Sequence, residues 1–177
     1  MTTSQLLFDT AGLRESGGIA SLQGTLPLDS YRMGDRTFTL GQALDYDLQV
    51  ISSDVGCVVS GQVSARIQGE CSRCLEPAEA LVEGPVECWC LTAPPEPEED
   101  LEEDEYLLIG EDGTIDLGDA CLAALILETP VSLLCDPDCQ GLCPHCGVNL
   151  NQEKCSCGTD PDPDSPFAVL KDFTFQD

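Results

Sequence analysis

Between positions 57 and 67 the chain reads CVVSGQVSARI, which sets Cys57, Val59, Val63, Ala65 and Ile67 on one side and Val58, Ser60, Gln62, Ser64 and Arg66 on the other. This alternation predicts a strand with one face buried. A second run, 78 to 90, places Ala80, Val82, Val86, Cys88 and Cys90 on one face and Glu79, Glu83 and Glu87 opposite, beside Leu81 and Trp89. It reads as a strand too, with Gly84-Pro85 marking a bulge or an edge position. The intervening GECSRCLEP makes the two a hairpin whose connection carries Cys71 and Cys74. Residues 1–44 hold scattered hydrophobics without a sustained period and predict short strands or loops packed on the main body.

Downstream, YLLI and TIDL predict short strands around a turn at Glu111-Asp112-Gly113. The following ACLAALILET predicts a helix capped by Asp116 or Asp119 and stopped by Pro130, whose ring has no amide hydrogen and disfavours helix in the residue before it. Its sequence is apolar nearly all round, which predicts burial. Eight of the ten residues from 96 to 105 are acidic and prolines precede or interrupt them, so about 92–105 is expected to be a disordered acidic loop. The tail GTDPDPDSP reads as a linker, and FAVLKDFTF, with Phe167, Leu170 and Phe173 at near-helical spacing, as a segment docking on the core.

The cysteines change the picture. Of twelve, Cys71-x2-Cys74 and Cys143-x2-Cys146 have the spacing that lets two thiolates reach one tetrahedral ion, and Cys135-x3-Cys139 and Cys155-x-Cys157 bring the candidate ligands to eight. Two four-thiolate zinc sites follow. Cys143, Cys146, Cys155 and Cys157 group into a ribbon-like site, leaving Cys71, Cys74, Cys135 and Cys139 to tie the hairpin to the C-terminal lobe. All-sulfur tetrahedral sites accept iron as well, but zinc is the expected ion. Gly147, straight after Cys146, supplies the positive φ a tight knuckle favours. Cys57, Cys88, Cys90 and Cys121 read as small buried hydrophobes. His145, the single histidine, is expected to face solvent.

The start of the chain, MTTSQLLFDT, lacks the basic and apolar regions of a signal peptide, and no apolar run has membrane-spanning length, so a cytoplasmic protein is expected. In a reducing compartment thiols serve metals more often than disulfides. The formal net charge of −26, from 33 acidic against 7 basic residues, argues against whole-surface attraction to phosphate and favours basic proteins as partners. With one histidine and no phosphate-cradling glycine loop, no catalytic constellation appears; the expectation is a non-enzyme with no small-molecule substrate and no membrane.

Taken together, GECSRCLEP, then IDLGDACLAALILETPVSLLCDPDCQGLCPHCGVNLN, and finally SPFAVLKDF resemble the YceD family, which is linked to accumulation of large-subunit ribosomal RNA in bacteria and plastids. On that likeness Cys71, Arg73, Cys74, Asp116, Glu128, Pro130, Cys135, Cys139, Gly141, Leu142, Cys143, Cys146, Gly147, Asn149 and Leu150 occupy the family's characteristic positions. The resemblance implies a non-enzymatic factor in large-subunit assembly that binds a ribosomal protein, a processing or assembly factor, or precursor ribosomal RNA. The alternatives are a zinc-ribbon nucleic-acid-binding regulator and a thiol redox or metal-handling protein. The expected fold is α+β: an antiparallel sheet, open or barrel-like, with one or two helices and a C-terminal cysteine-rich zinc-binding lobe. Its expected divisions are a main domain over 1–134, a metal lobe over 135–158 and an acidic linker with the docking segment over 159–177.

Overall fold

The computed structural model describes residues 5–13, 17–95 and 106–157. The expectations for the acidic run at 96–105 and for the linker and docking segment at 159–177 lie outside them.

Two strands dominate: β6 (Gly56–Glu70) and β7 (Pro77–Leu91) pair antiparallel over their full length of 15 residues each. The alternation seen in the sequence is the observed one, with Cys57, Val59, Val63, Ala65 and Ile67 buried and the intervening side chains turned outward. The register runs without a slip from Gly56 opposite Leu91 to Glu70 opposite Pro77, so Gly84-Pro85 makes no bulge. On its other side, among the described residues, β7 pairs only through Trp89–Leu91, in parallel with β8 (Tyr106–Leu108). No described strand pairs with β7 at Pro85 on that side, where a missing amide hydrogen costs no ladder bond.

The opposite side of β6 is shared. Its first half pairs with β5 (Leu44–Ser53), which in turn pairs with β2 (Ile19–Leu26). Its second half meets β4 (Arg36–Leu40), hairpinned to β3 (Ser30–Met33). Two short strands, β1 (Leu7–Asp9) and β9 (Thr114–Asp116), form a separate antiparallel pair. The predicted strands around the 111–113 turn are thus present, but each pairs elsewhere. Among the described residues no ladder joins β2 or β3 to β7 or β8, so the sheet stays open.

The one α-helix among the described residues, α1 (Gly118–Glu128), lies against β7 and β6. The N-cap position is Leu117, and Asp116 just before it steadies the helix start: its Oδ1 accepts from Gly118 N at 2.9 Å, and also from Leu6 N at 2.9 Å, which binds the N-terminal strand there. Gly84 decides how close the helix comes, since a Cβ built there would sit 2.5 Å from the Ala124 carbonyl oxygen. The expected all-round burial of α1 is corrected. Cys121, Ala124 and Leu125 are buried, but Ala123 is exposed and Leu127 is 82 % exposed. A helix resting on one layer of sheet buries one face, whatever its composition.

Between sheet and helix the core holds Leu44, Leu48, Val50, Val59, Val63, Ile67, Val82, Val86 and Leu125. Each such aliphatic side chain contributes roughly 1.5–3 kcal/mol by leaving water. At the hairpin end Tyr31 stacks on Phe38 with ring centroids 5.5 Å apart, and its hydroxyl shares a 2.5 Å hydrogen bond with the buried Thr129. Arg36 lies over the Phe38 ring and donates to the carbonyls of Glu70 and Val131, at 2.7 and 2.8 Å. The end of β6 and the chain leaving α1 are thereby held side by side.

Candidate metal centres

That juxtaposition puts the 71–76 connection beside the chain that follows α1. Ser72 N donates to Leu133 O at 2.7 Å, and Leu142 N to Arg73 O at 3.1 Å. As a result Cys71, Cys74, Cys135 and Cys139 come together, their sulfurs all within 4.8 Å of one another. Cys143, Cys146, Cys155 and Cys157 form a second group by the same measure. The eight cysteines singled out from the sequence thus fall into the two groups expected from their spacing.

The geometry fits a tetrahedral four-thiolate ion. With Zn–S bonds of about 2.3 Å, the sulfurs of a regular tetrahedron stand about 3.8 Å apart. In the first cluster Cys71 and Cys139 are separated by 3.8 Å and Cys74 and Cys135 by 3.5 Å. In the second, Cys146 and Cys155 are 3.6 Å apart and Cys155 and Cys143 3.2 Å.

The two CxxC turns are copies of one another. Arg73 N points at Cys71 Sγ at 3.5 Å, and His145 N at Cys143 Sγ at 3.4 Å. Leu75 N donates to Cys71 O and Gly147 N to Cys143 O, at 3.0 and 2.9 Å; Cys71 N donates to Glu76 O and Cys143 N to Val148 O, each at 2.8 Å. Both need a left-handed residue after the second cysteine. Gly147 takes φ +73° in one, and Leu75 takes φ +62° in the other. A non-glycine residue there costs on the order of 1–2 kcal/mol, and Leu75, 61 % exposed, recovers little by packing. Leu75→Gly should therefore leave the thermal midpoint unchanged or raise it by a few degrees, the relief of strain offset by glycine's greater unfolded entropy. A drop in the midpoint, followed by circular dichroism, would contradict this.

Directed amides also set the protonation of the sulfurs. Burial acts to raise the Cys71 thiol, yet the amides of Arg73, Cys135 and Cys74 bring it down to about 6. Cys143 reaches about 6 through the amides of Cys146 and His145. Each cluster also holds a sulfur at the other extreme. Cys74 and Cys139 push Cys135 up to about 12, and Cys155 and Cys146 push Cys157 up to about 12. Four thiols this close cannot all ionise without a cation between them, and a divalent ion removes the conflict by displacing the protons.

One residue escaped the sequence reading. Asn151 Nδ2 donates to Cys139 Sγ at 3.2 Å, while its Oδ1 accepts from Gln140 N at 2.7 Å, so a side chain of the distal lobe steadies a sulfur of the proximal cluster. Arg73, one of the positions marked by the resemblance, aims its amide at Cys71 Sγ while its guanidinium donates to Cys139 O at 2.8 Å and fixes the loop bearing that ligand. Gly141, at φ +74°, lets the chain pass over Arg73, where a Cβ would stand 3.0 Å from the Arg73 carbonyl oxygen. His145 is exposed, as expected. No helix among the described residues is long and apolar enough to cross a membrane.

Among the described residues, an open, mostly antiparallel sheet with one helix, followed by a cysteine-rich lobe and joined to it at the β6–β7 connection by the first of two four-cysteine clusters, defines an α+β protein able to hold two metal ions. Residues 59–174 match the family described as "Large ribosomal RNA subunit accumulation protein YceD", and the chain belongs to that family. An uncharacterized protein of Mycobacterium tuberculosis is 40% identical over 155 residues, covering 85% of this chain and 73% of the relative. An uncharacterized protein of Mycobacterium leprae is 33% identical over 150 residues, covering 83% and 68% respectively. A shorter stretch of 32 residues is 50% identical to the large ribosomal RNA subunit accumulation protein YCED homolog 1, chloroplastic, of Arabidopsis thaliana, covering 18% of this chain and 10% of that protein. No solved structure matches the chain.

Proposed function

We propose that this protein is a non-enzymatic cytoplasmic factor that supports accumulation of large-subunit ribosomal RNA by binding a basic ribosomal protein or assembly factor while the subunit is built. The match to the family over residues 59–174 carries this reading. The character of the surface supports the choice of partner. On the outer face of the sheet Asp45 and Asp47 of β5 and Glu79, Glu83 and Glu87 of β7 are all exposed, flanking β6, which carries Arg66. Such a face attracts cationic protein and repels phosphate. Of the two arginines considered for RNA contact, Arg73 already spends its guanidinium on Cys139 O, and Arg66 sits within the acidic face. In this reading each thiolate cluster holds a zinc ion that is structural, replacing hydrophobic core that the loop-rich lobe cannot build.

Depletion of the protein in its own cells should lower the large-subunit peak on sucrose gradients and the large ribosomal RNA relative to the small. Unchanged profiles and RNA ratios would contradict the reading. Tight binding of generic RNA, weakening steeply with salt, would favour the nucleic-acid-binding alternative instead.

A further inference from the structure

Four cysteines stand apart from the clusters, and three of them converge. Cys57 and Cys90 are directly opposed in the β6–β7 ladder, and Cys88 lies two residues before Cys90 on the same inward face. The Cys88 and Cys90 sulfurs are 4.0 Å apart, and Cys90 is also within hydrogen-bonding reach of Cys57. Cys57 and Cys90 are buried, at 2% and 0% exposure. Cys88 is partly exposed and lines a groove of about 350 Å³ between the open edge of β7, β8 and α1. One thiol thus faces a solvent-accessible groove while two sit sealed behind it.

We propose that Cys57, Cys88 and Cys90 form a thiol–disulfide exchange site, in which Cys88 takes the oxidation from a small-molecule disulfide entering the groove and passes it to a lasting Cys57–Cys90 bond between β6 and β7. The Cys88 sulfur attacks one sulfur of the small disulfide. Its partner leaves as a thiolate and takes up the proton Cys88 has lost. Cys90 then attacks the Cys88 sulfur and expels the second small thiol, which takes the Cys90 proton. The resulting Cys88–Cys90 bond joins residues two apart on an extended strand, roughly 6.7 Å between Cα atoms, at the limit of disulfide geometry. Cys57 displaces Cys88 from Cys90, and its proton returns to Cys88. Opposed residues of an antiparallel pair stand about 4.5–5.5 Å apart at Cα, inside the disulfide range, so the final bond is the less strained one. In net terms the protein loses two hydrogens and one small disulfide becomes two thiols.

The electrostatics favour entry at Cys88. The hydrogen bond it shares with Cys90 holds the Cys88 thiol below its ordinary value, as the one between Cys57 and Cys90 does for Cys57, while the same two contacts and burial raise Cys90, which therefore follows Cys88 and does not precede it. The fourth thiol, Cys121 of α1, is raised to about 11 by burial and is a bystander. The end product also suits its surroundings, because a disulfide carries no charge into an apolar interior whereas a thiolate would.

The test is to expose the zinc-loaded full chain to hydroxyethyl disulfide and follow it by intact-mass measurement and peptide mapping. The expected product has lost two hydrogens, carries a Cys57–Cys90 cross-link and keeps its zinc. Cys88→Ala should slow formation of that cross-link at least tenfold, Cys121→Ala should leave its rate unchanged, and Cys57→Ala should stop at a Cys88 adduct or a Cys88–Cys90 bond. A stable Cys88 adduct as the wild-type end point, absence of the cross-link, its formation at an unchanged rate in Cys88→Ala, or zinc loss before it forms would each overturn the proposal.

Discussion

Cys71→Ser is expected to be the most damaging single substitution in the described fold. Cys71 is fully buried at the end of β6, and its cluster is where the hairpin tip meets the chain returning from α1. On the proposed reading, in which the cluster holds zinc, removing one of four thiolates forfeits the ion and with it the cross-link between 71–74 and 135–139. The serine also leaves the Arg73 amide aimed at a poorer, shorter partner. Loss of a structural metal ranks among the few changes that cost about 4 kcal/mol or more, equivalent in a chain of this size to on the order of 10 °C in the thermal midpoint. Cys146→Ser should behave differently. Cys146 is exposed and its cluster contains no residue of the β6–β7 connection, so its loss should free the distal lobe while the sheet melts near its original temperature. Thermal unfolding by circular dichroism, together with proteolysis of the lobe, separates the two results. Equal damage from both substitutions would contradict this division of labour.

The second large effect is expected from a single methyl group. In Gly84→Ala the new Cβ meets the Ala124 carbonyl oxygen at 2.5 Å and its carbon at 2.9 Å, and backbone atoms of a helix cannot swing aside as a side chain can. The helix must lift from β7, loosening Leu125 and Cys121, which are fully buried beneath it. Overpacking of this kind costs about 1–3 kcal/mol. Denaturant titration should show a lower midpoint with an unchanged slope. Gly12→Ala is the control: nothing lies within 4 Å of its Cβ, and its cost should stay within about 0.5 kcal/mol.

The parts of this molecule that could be read in advance are those whose signal is local. The alternation of 57–67 needs only the pleat of one strand, and the eight candidate ligands need only CxxC spacing and a short return. β5 carries the same kind of signal, since Leu44, Leu48 and Val50 alternate toward the core. It was obscured by the scattered hydrophobics before it and by the exposed Asp45 and Asp47. What was not legible depends on partners. The composition of α1 says that it is apolar, but how much of it is covered depends on the single sheet layer beneath it. Gly84 looks like a strand-breaker until the helix is seen to cross it. Asn151 serves the proximal cluster only because the distal lobe folds back onto the hairpin tip, and the Arg73 guanidinium only because the chain after α1 brings Cys139 beside it. Likewise Cys57, Cys88 and Cys90 are three separate small hydrophobes until the β6–β7 register places two of them opposite one another.

Each of the two four-cysteine clusters is proposed to hold one zinc ion. Native mass spectrometry of the chain, purified without added metal, tests it most directly. The account predicts two zinc ions per wild-type chain, one in Cys143→Ser and one in Cys71→Ser, with Cys57→Ser unchanged at two. A folded wild-type chain that carries no metal and has every thiol open to alkylation would contradict it.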